Sequence, residues 1–470
     1  MKKRYLFFAL FTGLLACQQP TDVPKTSPQP APPPPPKSGP FEQPDWAKSA
    51  VLYELNTRNF SVAGNFDGVT KELPRLRELG VDVIWLMPIH PIGVKNRKGS
   101  LGSPYSVQDY LKINPDFGDE AALRRLVGTA HELGLKVILD WVPNHTSWDN
   151  IWLTTRPGVH TIYNGAHTVP LNEHGEPIAD WSDVMDLDYS KPATRAAMIE
   201  AMQFWLKNFD VDGFRVDMAG LVPNDFWAEA RPALDSVKPV FMLSEWQDEP
   251  LHFKSAFNAN YAWKWKDVTK DIWAGKRTAL ALDSLKTELD DFYPEGYYQV
   301  HFTQNHDENS WNGTEKQLYG ASADAFTVLA FTWAGMPMLY NGQEDNLAQR
   351  LKFFDRDPIR WKGRARTEFF QKLCALRHNN RALWSGTAGG PLEKIGTNAD
   401  DKIYAFTRER DGDRVIVIAN LSKQPQSATL ATTSDMAGAY TNLFGNNSIQ
   451  VTKDMQFNLK AWEYIVLTNR

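Results

Sequence analysis

Eight short apolar runs, spaced along residues 51–345 with helix-patterned segments between them, confine this chain to very few folds. The runs are VLYELNTRNF (51–60), VDVIWLMPIH (81–90), KVILDWVPNH (136–145), GFRVDM (213–218), PVFMLSEW (239–246), a stretch near 256–265, YYQVHFTQNHD (297–307) and PMLYNGQED (337–345). Between them, GVTKELPRLRELG puts Val69, Leu73, Leu76 and Leu79 on one helical face, and GDEAALRRLVGTAHELG opens at an Asp119 N-cap and stops at Gly134. Strands alternating with helices predict parallel βα units. Eight of them predict an α/β fold, a (β/α)8 TIM barrel, with functional side chains at the C-terminal ends of the strands.

Four acids test that expectation. Asp140 and Asp217 are 77 residues apart, where one unit needs roughly 30–40. The excess predicts a subdomain inserted after the third strand, around residues 146–190. Asp217 to Glu245 is 28 residues, one unit, and Glu245 to Asp307 is 62, two units. All four acids then fall on one rim of the barrel. After about residue 388 the pattern changes: KIYAFTRER-DG-DRVIVIANL reads as a hairpin and AWEYIVLTN as a closing strand. The expected organisation is a catalytic barrel over 44–387 and an antiparallel β-sandwich domain over 388–470.

The N-terminus is of another kind. Lys2, Lys3 and Arg4 precede an apolar run from Tyr5 to Ala16, too short to span a bilayer and suited to a signal-peptide core. It ends in Leu14-Leu15-Ala16-Cys17, which resembles the bacterial lipobox, so residues 1–17 are expected to be a lipoprotein signal with Cys17 lipidated. Residues 18–43, with PQPAPPPPPKSGP, suit a stiff tether. The expected location is the bacterial cell envelope, periplasmic or cell-surface, with the membrane reached through the lipid alone. The other cysteine, Cys374, lies in a helix-like stretch and reads as a buried free thiol, so no disulfide framework or cysteine metal site can be built. A net charge of −5, with no basic excess, argues against a nucleic-acid partner.

Retaining cleavage of a glycosidic bond needs two carboxyl groups roughly 5–5.5 Å apart, one nucleophilic and one protonated. Acids at the ends of strands four, five and seven could converge in this way, a third one stabilising the oxocarbenium-like transition state. The 17 tryptophans fit a sugar-binding cleft as well as a core, because sugar C–H groups pack on flat rings.

DWVPNH (140–145), GFRVD (213–217), SEW (244–246) and QNHD (304–307) resemble the four sequence regions of the α-amylase family. LGSPYSVQDYLKINPDFG (101–118) is similar to that family's loop after strand two, and MDLDYS (185–190) to its fifth region. The resemblance implies Asp217 as nucleophile, Glu245 as acid/base and Asp307 as transition-state stabiliser. It implies that Arg215 holds Asp217 ionised through a bidentate contact, that His145 and His306 hydrogen-bond the sugar at the −1 position, that Tyr105 stacks on it, and that Asp140 orients the site. Proximity to Asp217 is expected to keep Glu245 protonated. Asn144 matches a calcium ligand of the family, which implies a structural calcium ion. Two departures stand against that ion: Gly220 and Leu221 occupy the Lys-His positions that help bind it in many α-amylases.

The implied activity is hydrolysis of α-1,4-glucosidic bonds in starch-type polysaccharides or maltooligosaccharides. Cyclomaltodextrinase, neopullulanase, α-glucosidase and transglycosylase activities use the same acids. A non-catalytic glycan-binding barrel is opposed by the intact Asp217, Glu245 and Asp307. A metal-dependent hydrolase with His145 and His306 as ligands is opposed by the cationic Arg215 beside the site.

Overall fold

Strand periodicity and barrel closure together decide which residues reach the site. The computed structural model describes residues 43–470, so Cys17 and the signal-like segment lie outside the described residues, as does all of the Pro-rich stretch but its last residue. Eight parallel strands close the barrel: β1 (Leu52–Leu55), β2 (Val83–Leu86), β3 (Lys136–Trp141), β4 (Gly213–Val216), β5 (Phe241–Ser244), β6 (Ala259–Tyr261), β7 (Tyr298–His301) and β8 (Met336–Tyr340). Each pairs with its sequence neighbours, and β8 returns to β1.

Leu52, Val83, Ile138, Phe241, Leu243, Ala259, Val300 and Met338 form one buried cluster. The intervening residues, among them Tyr53, Ile84, Val137 and Leu139, belong to the larger core shared with the helices. Side chains alternate along a strand. Two residues beyond a cluster member, the next side chain on the same face is therefore at the C-terminal mouth. That step leads from Leu52 to Glu54, from Ile138 to Asp140 and from Leu243 to Glu245. In β4 the same face runs Gly213, Arg215, Asp217. Gly213 is required by close approach, since a Cβ there would collide with the carbonyl of Phe241 on β5.

The helices around the barrel are α1 (Leu73–Leu79), α2 (Glu120–Glu132), α3 (Pro192–Phe209), α4 (Asn224–Asp235), α5 (Trp263–Ala274), α6 (Ala281–Phe292), α7 (Ala323–Thr332) and α8 (Thr367–Asn379). Asp119 caps α2, its carboxylate accepting from the Ala122 N–H at 2.8 Å. One unit is shorter than expected. Residues 245–258 carry only the turn His252–Ser255 between β5 and β6, because so short a crossover leaves no room for a full helix. Cys374 is buried in α8 against Gly80, and burial pushes its thiol well above the usual range.

Between β3 and α3 the chain leaves the barrel. His145–Ser147 pairs with Val184–Asp186, and a hairpin of Ile162–Tyr163 with Ala166–His167 turns at Asn164 and Gly165, both with positive φ. The C-terminal strands are β9 (Glu393–Ile395), β10 (Ile403–Arg410), β11 (Asp413–Asn420), β12 (Gln426–Thr429), β13 (Gly438–Asn442), β14 (Ser448–Val451), β15 (Gln456–Leu459) and β16 (Tyr464–Thr468). Six of them form one sheet, β9-β10-β11-β16-β13-β14, and β12 pairs separately with β15. Tyr404, Phe406, Val415 and Val417 on one face join the barrel's core, while Ile403, Ala405, Ile416 and Ile418 on the other pack with Ala428, Phe457 and Leu459.

Two buried arginines lock this joint. Arg408 donates to the carbonyls of Gly390 (2.9 Å), Trp333 (2.8 Å) and Trp384 (2.7 Å), and Arg377 donates to Leu383 (2.6 Å) and to the Ser385 hydroxyl (2.6 Å). Arg408→Met leaves three carbonyls without their donor, at about 1 kcal/mol each. Chemical denaturation should show a loss of about 3 kcal/mol. A loss below about 1 kcal/mol would mean that apolar contact alone holds the domains together.

Candidate active site

The guanidinium of Arg215, fully buried, is the hub of the barrel mouth. Its Nη1 donates to Asp140 Oδ1 at 2.8 Å and to Asp217 Oδ1 at 3.4 Å, its Nη2 lies 2.7 Å from Glu245 Oε1, and its Nε donates to the Tyr261 hydroxyl at 3.2 Å. The rings of Trp85, Tyr105 and Tyr261 surround it at 5.0, 5.6 and 5.6 Å. Burial opposes its charge, but Asp140 and Glu245 overcome that and hold it protonated.

Asp217 and Glu245 thus share one cation. Burial first, and Glu245 second, push the Asp217 carboxyl well above the usual carboxylate range. The expected bidentate clamp of Arg215 on Asp217 is absent: the shorter contacts go to Asp140 and Glu245, and Asp217 is the acid whose proton is favoured. The reason is geometric. Two residues before Asp217 on the lumen face, Arg215 sits between the two strands that pair with β4, and reaches Asp140 at the end of β3 and Glu245 after β5. Met218, with φ 44° in the left-handed region, turns its N–H onto Glu245 Oε2 at 3.0 Å. Such a backbone is costly for a non-glycine residue, and here it joins the two acids.

Asp307 precedes the turn Glu308–Asn312 after β7, on the far side of the mouth. Its Oδ2 is 3.4 Å from His306 Nε2. The His306 Nδ1 contacts Glu54 Oε1, its Nε2 lies 2.9 Å from the Tyr105 hydroxyl, and its ring stacks on Tyr105 at 5.4 Å. Tyr105 donates onward to Asp140 Oδ2 at 2.9 Å, where the Trp85 N–H also arrives at 3.2 Å. Burial works against charge on His306, but Asp307 and Glu54 outweigh it and raise it to about 9. His145 is the opposite case. Burial lowers it to about 4, so it is neutral, with Nε2 3.9 Å from Asp217 Oδ2. Burial also pushes Asp140 up, to about 6, against the pull of Arg215.

The structure therefore brings Tyr105, Asp140, His145, Arg215, Asp217, Glu245, His306 and Asp307 to one mouth. Sequence reasoning missed Glu54, Trp85 and Tyr261. The available signal for Glu54 was an acid inside an otherwise apolar strand, two residues after Leu52.

Two family profiles match the chain. "Alpha amylase, catalytic domain" covers residues 45–161 and 179–375, and "Maltogenic Amylase, C-terminal domain" covers residues 397–466. The chain belongs to the alpha-amylase family. Among solved structures, it is similar to the maltogenic alpha-amylase AmyB of Thermotoga neapolitana (TM-score 0.80, 29% identity, 90% of this chain and 99% of that one). It is likewise similar to an alpha-amylase from Lactobacillus plantarum (TM-score 0.79, 31% identity, 90% and 100%). Among curated relatives, alpha-amylase MalA of Haloarcula japonica is 28% identical over 88% of this chain, and the chain spans 62% of that protein's length.

Three and four residues past Asp217 the chain has Gly220 and Leu221. The Trp246 indole lies directly over Gly220, so that no side chain could be placed there. A calcium site needs six to eight oxygen ligands, and of these the sequence names Asn144 alone. Asn144 is buried with its amide Nδ2 3.3 Å from His145 Nδ1, and among the described residues no three His, Cys, Asp or Glu side chains are arranged to hold a metal ion.

The charge on His306 can be checked directly. Its folded value lies above the unfolded one of about 6.5. The stabilisation it brings is full below pH 6.5 and is lost as pH rises through about 9. NMR titration of His306 should give a midpoint near 9, falling by more than about one unit in Glu54→Gln. A wild-type midpoint near 6.5 would contradict the pairing.

Proposed function

We propose that this protein is a retaining α-glucan hydrolase that cleaves α-1,4-glucosidic bonds in starch-type polysaccharides or maltooligosaccharides. The observation that supports it best is the placement of Asp217 and Glu245 against opposite nitrogens of one buried guanidinium, with Asp307 beyond His306. Relatives named alpha-amylase, and a fold shared along the whole barrel with solved alpha-amylases, point the same way.

In this reading Asp217 attacks the anomeric carbon while Glu245 gives a proton to the departing oxygen. Water, activated by Glu245, then enters from the face that the leaving group vacated and displaces Asp217. The raised Asp217 carboxyl favours a proton within the site. The first step needs that proton on Glu245. A sugar that draws Glu245 off Arg215 toward the glycosidic oxygen leaves Asp217 as the guanidinium's nearer partner, and the proton moves accordingly. Asp307, with its side chain one-third exposed, faces the developing positive charge, while the His306 imidazolium holds Tyr105 in place and neutral His145 is placed to donate to a sugar hydroxyl.

A second reading, cyclomaltodextrinase or neopullulanase, has its own support in relatives so named, such as neopullulanase 2 of Thermoactinomyces vulgaris (26% identity over 84% of this chain), and in the C-terminal profile. The acids are common to both readings. Products from amylose, pullulan and cyclodextrin separate them. We also propose that Cys17 carries a lipid that anchors the enzyme to the cell envelope through the Pro-rich tether. The lipobox-like Leu14–Cys17 supports it. Wild-type protein should incorporate labelled fatty acid and partition into detergent, and Cys17→Ser should do neither. An unlabelled wild type would end the anchor proposal.

Double inversion makes the newly formed reducing end an α-anomer, whichever glucan is the substrate. Proton NMR of early product should show it, and a β-anomer appearing first would overturn the roles of Asp217 and Glu245. Asp217→Asn should lower kcat by more than about a thousandfold with binding retained. Glu245→Gln should be far less damaging on substrates whose leaving group departs without a proton.

A further inference from the structure

We propose that the cleft beside Trp311 is a further glucan subsite, an aromatic platform that holds the sugars on the non-reducing side of the bond being cut. This rests on the hydrolase reading and adds to it where the chain lies. Trp311 is 50% exposed, the most exposed tryptophan among the described residues. It lies four residues after Asp307, at the edge of a cleft of about 490 Å³ lined also by Ser310, Arg350, Lys352, Phe354 and Asp355.

Ring contacts join this surface to the catalytic mouth without a break. Trp311 lies 5.2 Å from Phe353, and Phe353 stacks on Tyr105 at 6.0 Å and 11°. Tyr105 in turn stacks on His306. The platform is also held in place. Asn309 accepts from the Leu351 N–H at 2.8 Å and donates to the Gln349 carbonyl at 3.1 Å, while Ser310 donates to the Leu351 carbonyl at 3.0 Å. Arg350 donates to the carbonyls of Ser310 (2.6 Å) and Trp311 (2.9 Å). Five hydrogen bonds thus fix the turn after β7 to the loop after β8, and an exposed indole is presented on a rigid mount. A flat apolar face with Lys352 and Asp355 at its edge suits a glucose unit, which offers C–H groups on its faces and hydroxyls around its rim.

Barrel order gives the direction. In the ring of eight strands β5 is opposite β1, and the platform is built by the loops after β7 and β8, of which β8 is the direct neighbour of β1. Gly99, from the loop after β2, packs against Phe354 on the same side. Glu245 at the end of β5 protonates the leaving group. The platform, across the mouth from it, therefore faces the sugars that remain on the enzyme.

The test compares a long substrate with one that fills only the reacting position. For Trp311→Ala, the ratio of kcat/KM on maltoheptaose to that on α-glucosyl fluoride should fall about tenfold, a change of about 1.4 kcal/mol. Trp311→Tyr should restore most of it, and thermal melting should match wild type in both. An unchanged ratio, or equal losses on both substrates in folded variants, would overturn the platform while leaving the hydrolase reading intact. If wild type cleaves neither substrate, the hydrolase reading fails on its own. Calorimetric titration of maltoheptaose into Asp217→Asn, with and without Trp311→Ala, then decides the platform: about tenfold weaker binding supports it and equal binding overturns it.

Discussion

One guanidinium fixes the relation between the barrel and its chemistry. Asp140, Asp217 and Glu245 are all nearly or fully buried at the mouth, and carboxylates gathered in a dry site repel one another and resist ionisation. Arg215, surrounded by Trp85, Tyr105 and Tyr261, offsets that repulsion from the centre. It can do so only in one register. A slip of β4 by one residue against β3 and β5 would turn Arg215 and Asp217 toward the helices and put Val216 on the axis. Barrel closure and assembly of the acids are one constraint.

The second charge, on His306, extends the same arrangement across the mouth. Glu54 on β1 holds His306 after β7, His306 holds Tyr105 from the loop after β2, and Tyr105 holds Asp140 on β3, which meets Arg215 on β4. Four strand ends and one loop are tied by polar contacts whose members are each buried. Such a network keeps its dipoles aimed before substrate arrives, which is how electrostatic stabilisation of an oxocarbenium-like transition state avoids reorganisation during the reaction. It also puts the two histidines in different states, His145 neutral beside Asp217 and His306 charged beside Glu54 and Asp307.

The eight strands were legible because apolar runs of strand length recur at βα spacing, and the type I′ hairpin of β10 and β11 because Asp411-Gly412 announces it. Asp140, Asp217, Glu245 and Asp307 were legible as strand-end acids in recognisable motifs. The shortened unit after β5 was hidden, since residues 245–258 still contain a plausible helical turn. Glu54 was hidden for a different reason: its role depends on His306, 252 residues away, and only the closure of β1 beside β8 and β7 brings the two together. The partners of Arg215 were hidden likewise. Motif order names the acids but does not say which of them a guanidinium reaches first.

The identity of the nucleophile decides whether this arrangement acts as described. 5-Fluoro-α-glucosyl fluoride forms its glycosyl–enzyme readily and releases it slowly, so the covalent species can be digested and mapped by mass spectrometry. A label on the peptide carrying Asp217, at the Asp217 carboxyl itself, is the expected result. A label on Glu245 or Asp307 instead would contradict it, and would give Arg215 a different acid to serve.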